Sequence, residues 1–192
     1  MRILAKILIV LVIGFVLGGL SASYLIQRTY GLGAINVGPW SAWPFVGGAE
    51  IDPYTIARTT ADGSIPLGAA EGLTFEALTD SSGSKLRQAC DYVVSGKTST
   101  ARLWTLAAYG PDGELVDAGE RLVPAIFSGQ TNRFPDGSFS IHISRIPQAG
   151  NWVPLGEKGE FRLVFRLYDT PITSNAGLIA PTMPDIERLG CR

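Results

Sequence analysis

Between Ile7 and Ile26 the chain carries no charged residue, in the run ILIVLVIGFVLGGLSASYLI. Twenty helical residues at about 1.5 Å each span roughly 30 Å, the thickness of a bilayer's hydrocarbon core. Two readings stay open. The segment is an uncleaved transmembrane anchor. Alternatively it is a signal peptide, with Arg2 and Lys6 as the basic leader, Ile7–Leu17 as the apolar region and Ser21-Ala22-Ser23 as a small-residue cleavage site. Length and flanks favour the anchor, because the apolar stretch resumes at Tyr24-Leu25-Ile26 and stops at Gln27-Arg28. Both readings place the remainder outside the cytoplasm. Arg2 and Lys6 precede the span and only Arg28 closely follows it, so the positive-inside rule expects a cytoplasmic amino end and an exported carboxy-terminal domain.

Gly14, Gly18 and Ala22 recur every four residues on one helical face. Such a stripe lets two membrane helices approach closely, although glycine is also simply common in these helices. Of the 16 Lys and Arg residues, only Arg2, Lys6 and Arg28 lie at or before position 28, which leaves 13 against 17 acidic residues beyond it. That net negative balance argues against a nucleic-acid partner, since phosphate binding requires a basic surface.

Residues 29–50 hold glycines, prolines and Trp40, Trp43 and Phe45 without a sustained period, and read as an irregular connector. The aromatics are expected to fold back onto the core; the alternative is an interfacial belt or a ligand-stacking platform. The third segment, 51–192, reads as one β domain with a short leading helix. Asp52 is that helix's N-cap and Pro53 its first residue, Gly63 lies past its end, and Tyr54 and Arg58 share a face. From Gly72 onward short alternating runs are separated by turn signals: GLTFEALTD, KLRQACDYVVSG, ARLWTLAAY, ELVDAG, SFSIHISRI and EFRLVFRLY. Asp-Gly pairs between such runs favour reversals, because both residues tolerate positive φ. Seven or eight strands with little helix between them point to an antiparallel sandwich or barrel. The fold class expected is therefore mainly β, an antiparallel β-sandwich preceded by one transmembrane helix.

Cys90 falls in an expected strand and Cys191 at the last-but-one position. In an oxidising compartment a bridge is favoured over two unrelated thiols. It would close a loop of about a hundred residues, stabilising by up to roughly 4–5 kcal/mol in the chain-entropy model.

Little in the sequence points to catalysis. His142 is the single histidine and stands on a polar strand face with Ser140 and Ser144, so a metal site lacks converging ligands. There is no G-x-S-x-G elbow, P-loop or dinucleotide fingerprint. Glu71, Glu76 and Asp91 are the carboxylates to inspect for a shielded acid. No catalytic residue, metal or cofactor is assigned. The strand GEFRLVFRLYDTP sets Phe161, Leu163, Phe165 and Leu167 toward a core and Arg162, Arg166 and Tyr168 away from it. A solvated face is the commoner fate of such residues. The alternative is a shallow site for an anion or sugar, with Arg166 as donor, Tyr168, Trp40 and Trp43 as stacking surfaces, and Arg58 nearby.

The segments GNWVPLGEKGEFRLVFRLYDTP and MPDIERLGC, with the earlier DPYTIARTTADGSIPLGAAEGLTF, resemble the bacterial family called domain of unknown function 1214. The likeness rests on the Asn-Trp-aliphatic-Pro turn at Asn151–Pro154, the Arg-Leu-Tyr strand end at Arg166–Tyr168 and the late Met-Pro-x-Ile, and it covers roughly residues 50–192. It implies a jelly-roll-like sandwich in a bacterium. The family often follows a second β domain, domain of unknown function 1254, within one chain. Here a membrane span stands in that place, which implies a separately encoded envelope partner. The resemblance brings no catalytic residues. The expected protein is then a bacterial inner-membrane, single-pass protein with a periplasmic domain. That domain binds another envelope protein; a carbohydrate- or small-anion-binding module, or an envelope enzyme sharing a site with a partner, are the alternatives.

Overall fold

The computed structural model describes residues 2–28, 34–44, 56, 60, 67–68, 71–173 and 181–192, the side chains of 24–28 and 173 excepted. Helix α1 runs Arg2–Arg28. Its stretch Arg2–Ser23 is long and apolar enough to cross a membrane, and none of it is buried; a signal sequence meets the same test. A Cβ added at Gly14 or Gly18 meets nothing within 4 Å, so the small-residue face, continued by Ala22, is open.

The strands follow as β1 (Ile35–Val37), β2 (Trp40–Ala42), β3 (Gly72–Ala77), β4 (Cys90–Gly96), β5 (Leu103–Tyr109), β6 (Ala125–Phe127), β7 (Phe139–Ser144), β8 (Asn151–Pro154), β9 (Arg162–Tyr168) and β10 (Asp185–Cys191), with a 3-10 turn at Pro171–Thr173. They form a six-stranded sheet, β1-β2-β3-β9-β5-β6, facing a four-stranded sheet, β10-β4-β7-β8. The expected leading helix around Asp52–Gly63, with Tyr54 and Arg58, lies outside the described residues apart from Ile56 and Thr60, which are helical.

The alternating pattern explains the sandwich. Leu73, Phe75 and Ala77 of β3, Leu163, Phe165 and Leu167 of β9, and Trp104, Leu106 and Ala108 of β5 face Tyr92 and Val94 of β4, Phe139, Ile141 and Ile143 of β7, and Ile186 of β10 in one buried core. Each large side chain so buried contributes about 1.5–3 kcal/mol. Trp104 lies between Phe139 and Phe165, with ring centroids 5.0 Å and 4.9 Å away. The Asp136-Gly137 reversal forms as its sequence predicts: Gly137 has φ 82, and the Asp136 carboxylate accepts from the Ser138 amide at 3.1 Å.

One pairing is parallel. β8 runs alongside β7 with Asn151 opposite Ile141, so the six residues between them retrace only three strand positions. Asn151, buried, fastens the return. Its amide donates to Asn132 O at 2.8 Å and Ser140 O at 2.9 Å, and its Oδ1 accepts from Asn132 N at 2.7 Å. Trp152 Nε1 donates to Ser144 O at 3.0 Å. The Asn-Trp of the quoted motif is thus a structural clasp.

Edge strand β10 is fastened by more than its ladder with β4. Cys90 and Cys191 are register partners and form a disulfide with Cα atoms 3.9 Å apart. Ser81 N donates to Ile186 O at 2.9 Å and Ile186 N to Ser81 Oγ at 3.0 Å. Asp80, buried, accepts through Oδ1 from Ser82 N at 3.0 Å, Ser82 Oγ at 2.6 Å and Ser84 N at 2.9 Å. Its Oδ2 lies 2.9 Å from Arg188 Nη2 but off the N–H axis, which makes that contact coulombic rather than a hydrogen bond. Burial pushes the Asp80 carboxyl up; the Ser82 hydroxyl, the Ser84 amide and the Arg188 guanidinium outweigh it and hold the carboxyl below its ordinary 3.8. A pKa depressed by folding stabilises the fold above the unfolded value, and that stabilisation is lost as pH falls through the folded one. The urea midpoint is therefore expected to drop more steeply between pH 5 and pH 3 in the native sequence than in Asp80→Asn. Parallel slopes would refute this role.

Candidate functional site on the outer face of the six-stranded sheet

Strand β9 is interior to its sheet, paired with β3 on one side and β5 on the other. Its outward residues therefore have cross-strand neighbours on both sides. Arg162 lies opposite Tyr109; Val164 opposite Glu76 and Ala107; Arg166 opposite Thr74 and Thr105; Tyr168 opposite Gly72 and Leu103. Arg166 Nη1 donates to Tyr109 Oη at 3.1 Å, and its guanidinium carbon lies 5.3 Å from that ring's centroid. Tyr109 and Arg166 start two outward positions apart, so their contact spans the intervening row of Val164 and Ala107, which are only 3% and 5% exposed although they point outward.

Arg162, beside Tyr109 by register, makes no side-chain hydrogen bond among the described residues, and its Nε is buried without an acceptor. Neither Arg162 nor Arg166 forms an ion pair among those residues; the carboxylates pair elsewhere, as in Lys85–Glu160 and Arg192–Asp91. Glu76 is the one carboxylate among the outward residues of β3, β5 and β9. Two half-buried guanidiniums on one face, one bonded to the Tyr109 phenol and the other in register with it, with no ion-pair partner among the described residues, make a surface that favours anions. At the far end, Gly72 lies opposite Tyr168, so no side chain stands directly across from that ring on β3.

Of the residues singled out in the sequence, Arg166 and Tyr168 fall on this face. Trp40 does not. It is fully buried, donates from Nε1 to Pro184 O at 2.6 Å and packs edge-on against Phe165 with centroids 5.8 Å apart, so it is a core residue and cannot serve as a stacking platform. The reason is position: Trp40 lies on the inward face of β2, two residues from buried Ala42. Trp43 follows β2 and is half-buried; Arg58 lies outside the described residues, as does Phe45. The three carboxylates are scattered. Glu71 is exposed and accepts from Gly68 N at 3.2 Å, Glu76 is on the outer face, and Asp91 of the other sheet pairs with Arg192 at 2.9 Å. His142 is half-buried on the four-stranded sheet, in register with Val93 and Trp152. Among the described residues there is no group of three metal-ligating side chains. Tyr109 is the member of this face that sequence reasoning misses. The alternation of ARLWTLAAY sets it outward, but its tie to Arg166 depends on which strand pairs with which.

The profile of the family described as Protein of unknown function (DUF1214) matches residues 71–172, more than half of the chain. The chain belongs to this family. The DUF1214 match takes in β3 to β9, including the outer face just described, while β1, β2 and β10 lie beyond it. A crystal structure of the VPA0106 protein from Vibrio parahaemolyticus is similar with a TM-score of 0.57 and 23% identity, over 72% of this chain and 36% of that one. It shares the fold. An uncharacterised protein from Burkholderia cenocepacia aligns with a TM-score of 0.43 and 19% identity, over 90% of this chain and 48% of that one. The chain thus spans less than half the length of either. No curated protein matches it.

Proposed function

We propose that this DUF1214 chain is a membrane-tethered binding protein of the bacterial envelope, with α1 across the inner membrane and the sandwich in the periplasm, where it pairs with another envelope protein and catalyses no reaction of its own. The observation that carries the reading is the Cys90–Cys191 disulfide. Such bridges persist in oxidising compartments, and this one supports export under either reading of the amino-terminal segment. The unburied apolar helix supports tethering. The small-residue face at Gly14, Gly18 and Ala22 offers a second contact within the bilayer. The guanidiniums of Arg162 and Arg166 on the outer sheet face, which form no ion pair among the described residues, give the sandwich a surface suited to binding.

The experiment is protease treatment of intact spheroplasts, followed by alkylation without reduction. The sandwich is expected to be cut away from a surviving fragment containing α1, and the released domain is expected to take up no alkylating label at cysteine. A sandwich protected until lysis, or two labelled thiols, sinks the proposal. Crosslinking in whole cells then tests the pairing: a discrete adduct with a second envelope protein is expected, and recovery of the unmodified chain alone argues against it.

A further inference from the structure

We propose that the outer face of the six-stranded sheet binds a carboxylate-bearing saccharide, its carboxylate held by Arg166 and Tyr109 with Arg162 as the second cationic contact. This rests on reading the sandwich as a binding domain and names the class of ligand.

The charge argument comes first. A guanidinium carries five N–H donors in a planar fork that matches a carboxylate with two parallel bonds. Arg166 commits Nη1 to the Tyr109 phenol at 3.1 Å, its one hydrogen bond among the described residues. That bond fixes the direction of the fork along the sheet and leaves its remaining donors available. The phenol accepts from Arg166, so its own proton is free to point at a further acceptor. Arg162 sits across the strand pair from the same tyrosine. Its Nε is buried with no acceptor, so a turn of this guanidinium toward an incoming anion gains hydrogen bonds and breaks none. Arg162, Tyr109 and Arg166 are therefore one contiguous unit, linked by register on one side and by a hydrogen bond on the other.

The surrounding residues choose the class of anion. Arg166 is flanked in its own row by the hydroxyls of Thr74 and Thr105, which suit sugar hydroxyls. Two positions along β9, Tyr168 stands opposite Gly72, and a half-buried ring with no side chain directly opposite it on β3 suits the C–H face of a pyranose. An acidic peptide fits less well. Extended peptides usually join a sheet through an unpaired edge, and β9 is paired on both sides, so it presents side chains and no backbone donors.

The test uses the full chain purified in detergent micelles and isothermal titration calorimetry with tetragalacturonate, its methyl ester and tetraglutamate. Tetragalacturonate is expected to bind, and the neutral ester at least tenfold more weakly. Arg166→Gln is expected to weaken binding of the acid at least tenfold, and Tyr109→Phe about threefold, with unchanged far-ultraviolet dichroism in both. Tyr109→Phe keeps the ring, so it remains informative if Arg166→Gln disturbs the sheet. Three results overturn the proposal: no heat from tetragalacturonate at millimolar concentration, equal binding of acid and ester, or tetraglutamate binding as tightly as the saccharide. Because binding is measured on purified protein, a sandwich protected in spheroplasts overturns the location and leaves this result standing.

Discussion

Gly72→Ala is expected to cost more than about 3 kcal/mol and to lower the thermal midpoint by roughly 10 °C. A Cβ on Gly72 would stand 2.0 Å from the carbonyl oxygen of Leu167 and 3.1 Å from its carbonyl carbon. Both are backbone atoms of β9, so no side chain can swing aside. Relief requires β3 and β9 to separate, and these strands share six register pairs at the centre of the larger sheet, with Phe75 and Phe165 directly opposed beneath them. Overpacked cores commonly lose about 1–3 kcal/mol when side chains can adjust; here the clash is backbone against Cβ, which puts the loss at or above the top of that range. Thermal melts of the full chain in detergent, followed by circular dichroism, give the measurement. Gly190→Ala is the control, since a Cβ there meets nothing within 4 Å and should move the midpoint little. A Gly72→Ala midpoint within about 2 °C of the native sequence would show that β3 is not held as described.

Replacing both Cys90 and Cys191 with serine is expected to cost about 3–5 kcal/mol. The bridge spans a sequence separation of 101, so its removal restores nearly the largest loop entropy a chain of this size can hold closed. There is a local consequence as well. Cys191 is the last residue of β10, at the sheet's edge, and Ile186 of the same strand belongs to the buried core. Without the bridge, β10 keeps its ladder with β4, the Ser81 bonds, the Asp80–Arg188 contact, the bond from Arg188 Nη2 to Lys85 O at 2.7 Å and the surface Arg192–Asp91 pair. Urea melts with and without reductant are the check. Reductant should shift the native protein to the serine variant's midpoint and leave the variant unmoved. A difference below about 1 kcal/mol would mean that the β10 ladder and core contacts suffice alone.

Much of this architecture is legible in the residues themselves. The run at Ile7–Ile26 announces α1, alternation announces β3, β4, β5, β7 and β9, and the two cysteines announce their bond. The Asn-Trp-Val-Pro motif points to the family without saying why. The structure supplies the reason: Asn151 ties the β8 return with three bonds, a role that rests on Asn132 and Ser140 and so cannot be read locally. The parallel β7–β8 pair is likewise hidden, because alternation fixes which residues face inward and says nothing about strand direction. For the outer face, period-two spacing correctly sends Arg166 and Tyr168 away from the core. It cannot supply Tyr109, which meets Arg166 only because β5 lies beside β9. Trp40 reads from sequence as a possible ligand platform because strand β2 has three residues, too few for a periodicity to show which way the indole points.

The order of β1 and β2 also decides how the molecule would respond to mechanical load. Tension applied through α1 would reach the sandwich at Ile35, which pairs with Ala42 at the open end of the β1–β2 hairpin. Antiparallel rungs tugged from an open end let go singly, zipper fashion, whereas rungs sheared lengthwise must yield together. The hairpin would then act as a compliant leader, giving way at the edge of the larger sheet before its remaining strands or the smaller sheet are strained. Peeling would halt at Trp40, whose indole is locked against Phe165 and Pro184.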